Sequence, residues 1–260
     1  MQCDSLHCDE HGTGPVVVLI HGTPSSVDDF APLIDALALD HRVVVPHLPG
    51  YGRTPPDVEP DSFDGIARRI ERRLLGMGIT HADFVAFSGG AHKAVAIALE
   101  GRLVVSRLAL LAPVVGLDEE ARRIYREIAA ASLSGAFDPR PTWLARMASP
   151  GFGARNPTGA ARILGWLDAV SLSTICGELV ALADSIDLRP RLASLDADVL
   201  VCSGTADAAV PPAWAEDCAR RARRGKFQHI DGAGHALLVE EPARVTALVR
   251  SFLASSNAGA

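Results

Sequence analysis

The sequence predicts an α/β fold, a mostly parallel sheet flanked by helices, with a helical segment inserted before the last strands. Three observations lead there. Short apolar runs alternate with segments of helical period, which is the pattern of strands joined by crossover helices. The runs are apolar throughout rather than at every second position, as in strands covered on both faces. From about residue 117 to 190 the alternation stops, and only helical patterns broken by Pro and Gly remain.

Val16–Ile20, after Gly12-Thr13-Gly14-Pro15, reads as the first buried strand. Phe30, Leu33, Ile34 and Leu37 then recur at the spacing of one helix face, with Asp29 as the expected N-cap and Pro32 in the first turn. Arg42–Val45 is the next strand, and 46–60 is rich in Pro and Gly and reads as loop. Phe63, Ile66, Ala67, Ile70 and Leu74 mark a second helix, on which Arg68, Arg69, Arg72 and Arg73 are expected to form a solvated face. Asp83–Phe87 is a strand running straight into a helix from about Gly89 to Glu100. Leu108–Leu111, Val199–Cys202 and Phe227–Ile230 complete the strands, and a last helix carries Val245, Leu248, Val249 and Phe252. The helical patterns Glu119–Ala131, Thr158–Trp166 and Ser171–Asp184 fill the insertion. The expected organisation is a core of residues 1–116 and 191–260 with a helical cap at 117–190.

The chain has 260 residues, of which 48% are hydrophobic and 22% charged, enough to bury a sizeable core without staples. A formal charge of −6 argues against nucleic acid as a partner, because that affinity comes largely from basic groups neutralising phosphates. Five cysteines in no regular spacing suggest a reducing compartment. The first residues have no basic and apolar pattern of a secretion signal, and no apolar run approaches the ~20 residues of a membrane span. A cytoplasmic protein without membrane contact is expected, with self-association open.

The segment Asp83-Phe84-Val85-Ala86-Phe87-Ser88-Gly89-Gly90 carries the most chemistry. A sharp strand-to-helix turn lifts a Ser hydroxyl above the sheet and needs small residues two before and two after it, here Ala86 and Gly90. The turn also sets Ser88 at a helix N-terminus, where free N–H groups and the helix dipole favour a developing oxyanion, with the Gly89 N–H as first donor. The first strand ends in His21-Gly22-Thr23-Pro24, at the sheet edge where such folds bind ligands. The Thr23 N–H is the expected second donor. The expected order of a serine nucleophile, an acid and a base is met by Ser88, Asp207 and His235, the last two on loops after late strands. In that arrangement the imidazole takes the Ser proton and the carboxylate fixes its tautomer.

With those pieces in place, the chain resembles the α/β-hydrolase superfamily from about residue 9 to 253. The resemblance rests on His21-Gly22-Thr23-Pro24, Leu48-Pro49-Gly50-Tyr51-Gly52-Arg53-Thr54, Ala86-Phe87-Ser88-Gly89-Gly90, Gly204-Thr205-Ala206-Asp207 and Gly234-His235, in that order. Asp187-Leu188-Arg189-Pro190 and Val210-Pro211-Pro212 are similar to 3-oxoadipate enol-lactonases and related capped esterases. The chain departs from its relatives at Ala86, where Gly is usual, at His47, where Asp is usual, and in a missing or very short opening strand. The resemblance argues against haloalkane dehalogenases and epoxide hydrolases, whose nucleophile is Asp. Hydroxynitrile lyases usually carry Lys where this chain has Ala236, and proline iminopeptidases Trp where it has Gly89.

The resulting expectation is a serine hydrolase cleaving a small-molecule carboxylic ester or lactone through an acyl-enzyme, without a cofactor. A C–C bond hydrolase or thioesterase with the same three residues is the alternative. A non-catalytic ligand-binding receptor is the alternative of another class. Trp143, Met147, Phe152 and Trp166 are candidates to line the substrate pocket or to form the helical segment's own core. Cys3, His7, Cys8 and His11 are metal-ligand types, but their spacing lacks the spread of a structural zinc site, and no metal is expected. His92 and Lys93 lie one turn into the nucleophile helix with no role assigned.

Overall fold

Five apolar residues in a row can be buried only where both faces of a strand are covered, and Val16–Ile20 has that position. The computed structural model describes residues 6–58 and 61–255. Its seven strands are β1 (Cys8–His11), β2 (Val16–Ile20), β3 (Arg42–Pro46), β4 (His81–Phe87), β5 (Val104–Leu111), β6 (Asp198–Gly204) and β7 (Gly225–Ile230). They form one sheet in the order β1-β3-β2-β4-β5-β6-β7. Every pairing is parallel except that of β1 with β3 at the edge. The opening strand is therefore present but only four residues long.

The helices are α1 (Ala31–Leu37), α2 (Phe63–Gly76), α3 (Gly90–Glu100), α4 (Glu119–Leu133), α5 (Arg140–Met147), α6 (Phe152–Arg155), α7 (Pro157–Ala169), α8 (Leu172–Asp184), α9 (Pro212–Arg221), α10 (Leu237–Glu240) and α11 (Pro242–Ala254). Side chains alternate across a strand, so β2 feeds two cores. Val18 and Ile20 pack with Ile66, Ile70 and Val95 of α2 and α3. Val17 and Leu19 pack with Leu33, Leu37 and Val249 of α1 and α11. Between β5 and β6 the chain forms no strand, only helices α4 to α8 and a 3₁₀ turn at Arg189–Ser194. Among the described residues no single helix is long and apolar enough to cross a membrane, and Cys8, Cys176, Cys202 and Cys218 are free thiols.

Two expectations are corrected, and one further helix emerges. Asp29 is not the N-cap of α1. Ser26 caps a preceding 3₁₀ turn, and the Asp29 carboxylate accepts from the Ser26 N–H at 2.9 Å, completing a capping box. The four arginines of α2 do not form one solvated face. Arg69 is 4% exposed and pairs with Asp57 at 2.5 Å, because the loop before the helix folds over that side. Residues 212–221 form a helix that their weak apolar periodicity did not announce, although Pro212 suits its first turn.

Candidate active site

Ser88 sits where β4 turns into α3, and its φ of +51° places a non-glycine residue in the left-handed region. The corner is pinned from three sides. The Ser88 N–H donates to the Leu111 carbonyl at 2.9 Å, and the Ser88 carbonyl accepts from Ala91 at 3.0 Å and Val114 at 3.1 Å. Such backbone costs roughly 1–3 kcal/mol and persists only when its surroundings over-determine it. The small residue after the Ser is required here, since a Cβ on Gly90 would lie 2.5 Å from the Ile20 carbonyl oxygen. Ala86, buried in β4, is accommodated without such a clash.

Asp207 and His235 come from the loops after β6 and β7. These loops meet because Gly204 lets the Ala233 carbonyl approach to 2.2 Å of where a Cβ would stand, and the Ala206 N–H donates to that carbonyl at 2.9 Å. The Asp207 Oδ1 accepts from the N–H groups of Ala209 at 2.9 Å and Val210 at 2.8 Å. Its Oδ2 lies 2.9 Å from His235 Nδ1, and His235 Nε2 lies 3.1 Å from Ser88 Oγ. A carboxylate can only accept, so Nδ1 carries the proton and Nε2 presents its lone pair to the hydroxyl. The three sequence-predicted side chains are thus brought together, all of them buried.

The loop after β2 approaches Ser88 closely, since a Cβ on Gly22 would lie 2.8 Å from the Ser88 Cβ. His21 holds that loop. Its Nε2 accepts from the Leu48 N–H at 3.2 Å, so its Nδ1 donates to the Gly22 carbonyl at 3.1 Å. Burial pushes its pKa down to about 3, so it remains a neutral strut. Among the described residues neither the Thr23 N–H nor the Gly89 N–H has a hydrogen-bond partner, and the Thr23 side chain lies beside Gly89. Both backbone donors are thus free to take a further acceptor beside the Ser88 hydroxyl.

A cavity opens above Ser88 and His235, between α4, α5 and α8. Trp143 and Met147 line it. Phe152 and Trp166 do not. They pack in the sheet-side core, Trp166 with its ring 6.4 Å from that of Phe87, because α6 and α7 turn those side chains toward the sheet rather than toward the opening. Trp143 points its indole N–H to the Ile163 carbonyl at 3.1 Å, which fixes the ring at the cavity wall.

Five residues without an assigned role find partners. Lys93 is wholly buried, with Nζ 3.9 Å from Glu178 Oε1 of α8 and 3.5 Å from the centre of the Phe63 ring. The Tyr51 hydroxyl donates to the other Glu178 oxygen. Burial lowers the Lys93 pKa to about 8 against the opposing pull of Glu178, and raises that of Glu178. His92 donates from Nε2 to the Ile186 carbonyl at 3.0 Å. Glu240 ties the His235 loop to the end of α5, accepting from the N–H groups of Gly234 and Ser149, each at 2.9 Å. A lone acid in the apolar stretch Ile175-Cys176-Gly177-Glu178-Leu179 was a signal that a buried partner existed, but not which one.

His47 joins a cluster with His7 and Asp9 whose ligand-type atoms lie within 4.8 Å of one another. The Arg53 N–H donates to His47 Nδ1 at 2.9 Å, so Nε2 bears the proton it shares with Asp9 at 2.9 Å. His7 takes the other Asp9 oxygen at 2.9 Å, and the Arg53 guanidinium also bonds Asp9. That tautomer leaves His47 no free lone pair toward the cluster, and Arg53 already supplies positive charge there. Cys8 and His11 are outside this cluster, and Cys3 lies outside the described residues.

Fold and site together define a protein class. The chain matches the alpha/beta hydrolase family over residues 17–248 and belongs to it. Among curated proteins it is similar to polyketide synthase ThaQ of Burkholderia thailandensis, 29% identical over 96% of this chain but only 12% of that protein's length. It is also similar to a pimeloyl-acyl-carrier-protein methyl ester esterase of Xanthomonas campestris, 26% identical over 96% of this chain and 99% of that one. Among solved structures, a thermophilic esterase from Thermogutta terrifontis superposes with a TM-score of 0.87 at 25% identity, covering 95% of this chain and 92% of that one. The enol-lactonase from Burkholderia xenovorans shares the fold, with a TM-score of 0.85 at 22% identity over 96% of each chain.

Proposed function

We propose that this chain hydrolyses carboxylic esters or lactones through an acyl-enzyme, with Ser88 as nucleophile, His235 as base and Asp207 as its orienting acid. The observation that carries the proposal is the unbroken path Asp207 Oδ2–His235–Ser88 Oγ, at 2.9 and 3.1 Å, ending beside two unpaired N–H groups. Ser88 Oγ attacks the carbonyl carbon as its proton passes to His235 Nε2. The oxygen that becomes negative is held by the N–H groups of Thr23 and Gly89. Collapse of the tetrahedral species breaks the bond to the leaving alcohol, which takes the proton from Nε2. Water, deprotonated by the same nitrogen, then attacks the acyl carbon, and the acid departs as Ser88 regains its proton. Throughout, Asp207 stabilises the imidazolium without taking its proton. The helices α4 to α8, within residues 117–190, act as a cap that shapes the acyl pocket, with Trp143 and Met147 at its wall.

The test is turnover on a panel of methyl and p-nitrophenyl esters, lactones, thioesters and vinylogous diketones, with Ser88→Ala as control. The proposal expects ester or lactone hydrolysis that disappears in Ser88→Ala. Turnover of diketones or thioesters alone would replace the ester reading with C–C or thioester cleavage. Absence of any turnover by folded protein would favour a binding role.

A further inference from the structure

Lys93 and Glu178 take no part in the proton path, yet the residues they touch surround the two free N–H groups beside Ser88. Lys93 lies near the start of α3, with its Nζ 3.5 Å from the centre of the Phe63 ring. That ring packs on the backbone of Gly89, since a Cβ there would lie 3.3 Å from the Phe63 Cε1. Glu178, on α8, accepts from the Tyr51 hydroxyl on Oε2, and its Oε1 faces the Lys93 Nζ at 3.9 Å. Neither Lys93 nor Glu178 lines the cavity above Ser88.

Tyr51 grips the loop that carries Thr23. Its ring lies 4.5 Å from that of His21, and its N–H donates at 2.9 Å to the carbonyl of Leu48, whose own N–H donates to His21. Past His21, the Gly22 N–H is tied to Ser25 Oγ at 3.0 Å, but the Thr23 N–H is tied to nothing among the described residues. The orientation of Thr23 therefore depends on its side chain. The Thr23 Oγ1 is buried and makes no hydrogen bond of regular geometry. Burial raises the pKa values of Tyr51 and Glu178, and the Thr23 hydroxyl opposes both shifts, which places it within reach of both groups. Three buried polar atoms without a regular partner, Lys93 Nζ, Glu178 Oε1 and Thr23 Oγ1, thus gather behind the two donors. A buried ion pair with so few hydrogen bonds contributes little stability over an apolar pair of similar volume, so stability is a weak reason for these residue types.

We propose that Glu178, held by Lys93, is a positioning residue for the oxyanion site: through the Tyr51 phenol and the Thr23 hydroxyl it fixes the direction of the Thr23 N–H, while the Lys93 ammonium holds Phe63 against Gly89. This rests on the hydrolase reading above. The helical segment then acts on the rate of acyl transfer, because α8 anchors a donor that belongs to the sheet edge. A donor must stand about 2.7–3.1 Å from the oxygen as it becomes negative. A loosened Thr23 therefore weakens transition-state binding and leaves ground-state binding of the ester nearly intact.

The experiment measures kcat and KM on the best ester of the panel, with a urea titration for each protein. It adds the Ki of a trifluoromethyl ketone of the same acyl chain, whose hemiketal with Ser88 puts an anionic oxygen at the two donors. The proteins are wild type, Glu178→Gln, Tyr51→Phe, Lys93→Met, and Lys93→Met with Glu178→Met. The double variant should regain most of the stability lost in Lys93→Met. Its kcat should nevertheless stay about 10- to 100-fold below wild type with KM little changed, and its Ki should rise by a similar factor, part of the cost of a lost oxyanion donor. Glu178→Gln, which keeps an oxygen for the Tyr51 hydroxyl, should retain more activity than the double variant, and Tyr51→Phe should show the same pattern in smaller measure. A stable double variant with wild-type kcat would overturn the proposal. So would a loss carried by KM with Ki unchanged, which would assign the grouping to the shape of the cavity. Should the double variant not fold, wild-type kcat and Ki in both Glu178→Gln and Tyr51→Phe would overturn it equally. In those cases wild type is active and only the positioning role fails. If wild type turns over no ester or lactone, the hydrolase reading fails and the positioning role falls with it.

Discussion

Two buried polar groupings lie one helical turn apart, and they are built differently. The side chains of Ser88, His235 and Asp207 are joined by hydrogen bonds of ordinary length, and both oxygens of Asp207 are satisfied. Around Lys93 and Glu178 the match is incomplete. Nζ makes no hydrogen bond, and the pair is separated by 3.9 Å. The first grouping is oriented by directional hydrogen bonds, as proton transfer requires. The second is held by charge and by a ring face, which tolerates imprecise distance but penalises the loss of either partner. We infer that the first performs the chemistry and the second fastens α8 to the nucleophile helix.

The largest expected effect breaks the first grouping. Ser88→Ala or His235→Ala should lower kcat by about 10⁶ with folding intact, and Asp207→Asn by about 10⁴ through the wrong tautomer. Steady-state kinetics on the best ester of the panel would check both, and a residual rate near wild type would contradict the assignment. Breaking the second grouping also acts on stability. Lys93→Met alone should cost roughly 3–5 kcal/mol because it leaves Glu178 buried and unpaired, whereas Lys93→Met with Glu178→Met should recover most of that. Urea titrations would measure the cycle, and additive losses would show that the two side chains do not act as a pair.

The same pair predicts a pH dependence. Lys93 titrates near 8 in the folded protein and near the usual 10.5 unfolded, so between these values the unfolded chain holds more protons. The stability that Lys93 contributes therefore rises with pH across that window. Wild type should gain on a Lys93→Met variant as pH increases from about 8. A difference that stays constant or narrows would count against the lowering of the Lys93 pKa by burial. A smaller effect should separate the aromatic residues. Trp166→Ala, in the core, should cost about 3–5 kcal/mol of stability, while Trp143→Ala should act chiefly on KM for long acyl chains.

What the sequence conveyed follows the same division. The corner at Ser88 and the loops ending in Asp207 and His235 were legible because their order, their strand-end positions and their glycines are local patterns, and the fold itself brings strand ends together. The partner of Lys93 was not legible, because α8 reaches it only through the packing of the helical segment. Arg69 was misread for a related reason, since its exposure depends on a loop that folds back to offer Asp57. Trp143 and Trp166 are alike in sequence, and only the turn between α5 and α7 sends one to the cavity and the other to the core.

The central claim is that the hydroxyl of Ser88 is an activated nucleophile. Its most direct test is intact-mass analysis after treatment with a fluorophosphonate, followed by peptide mapping. The account predicts a single adduct on Ser88 that is absent in Ser88→Ala and strongly slowed in His235→Ala. A folded wild type that remains unmodified, or an adduct that persists when Ser88 is replaced, would contradict it.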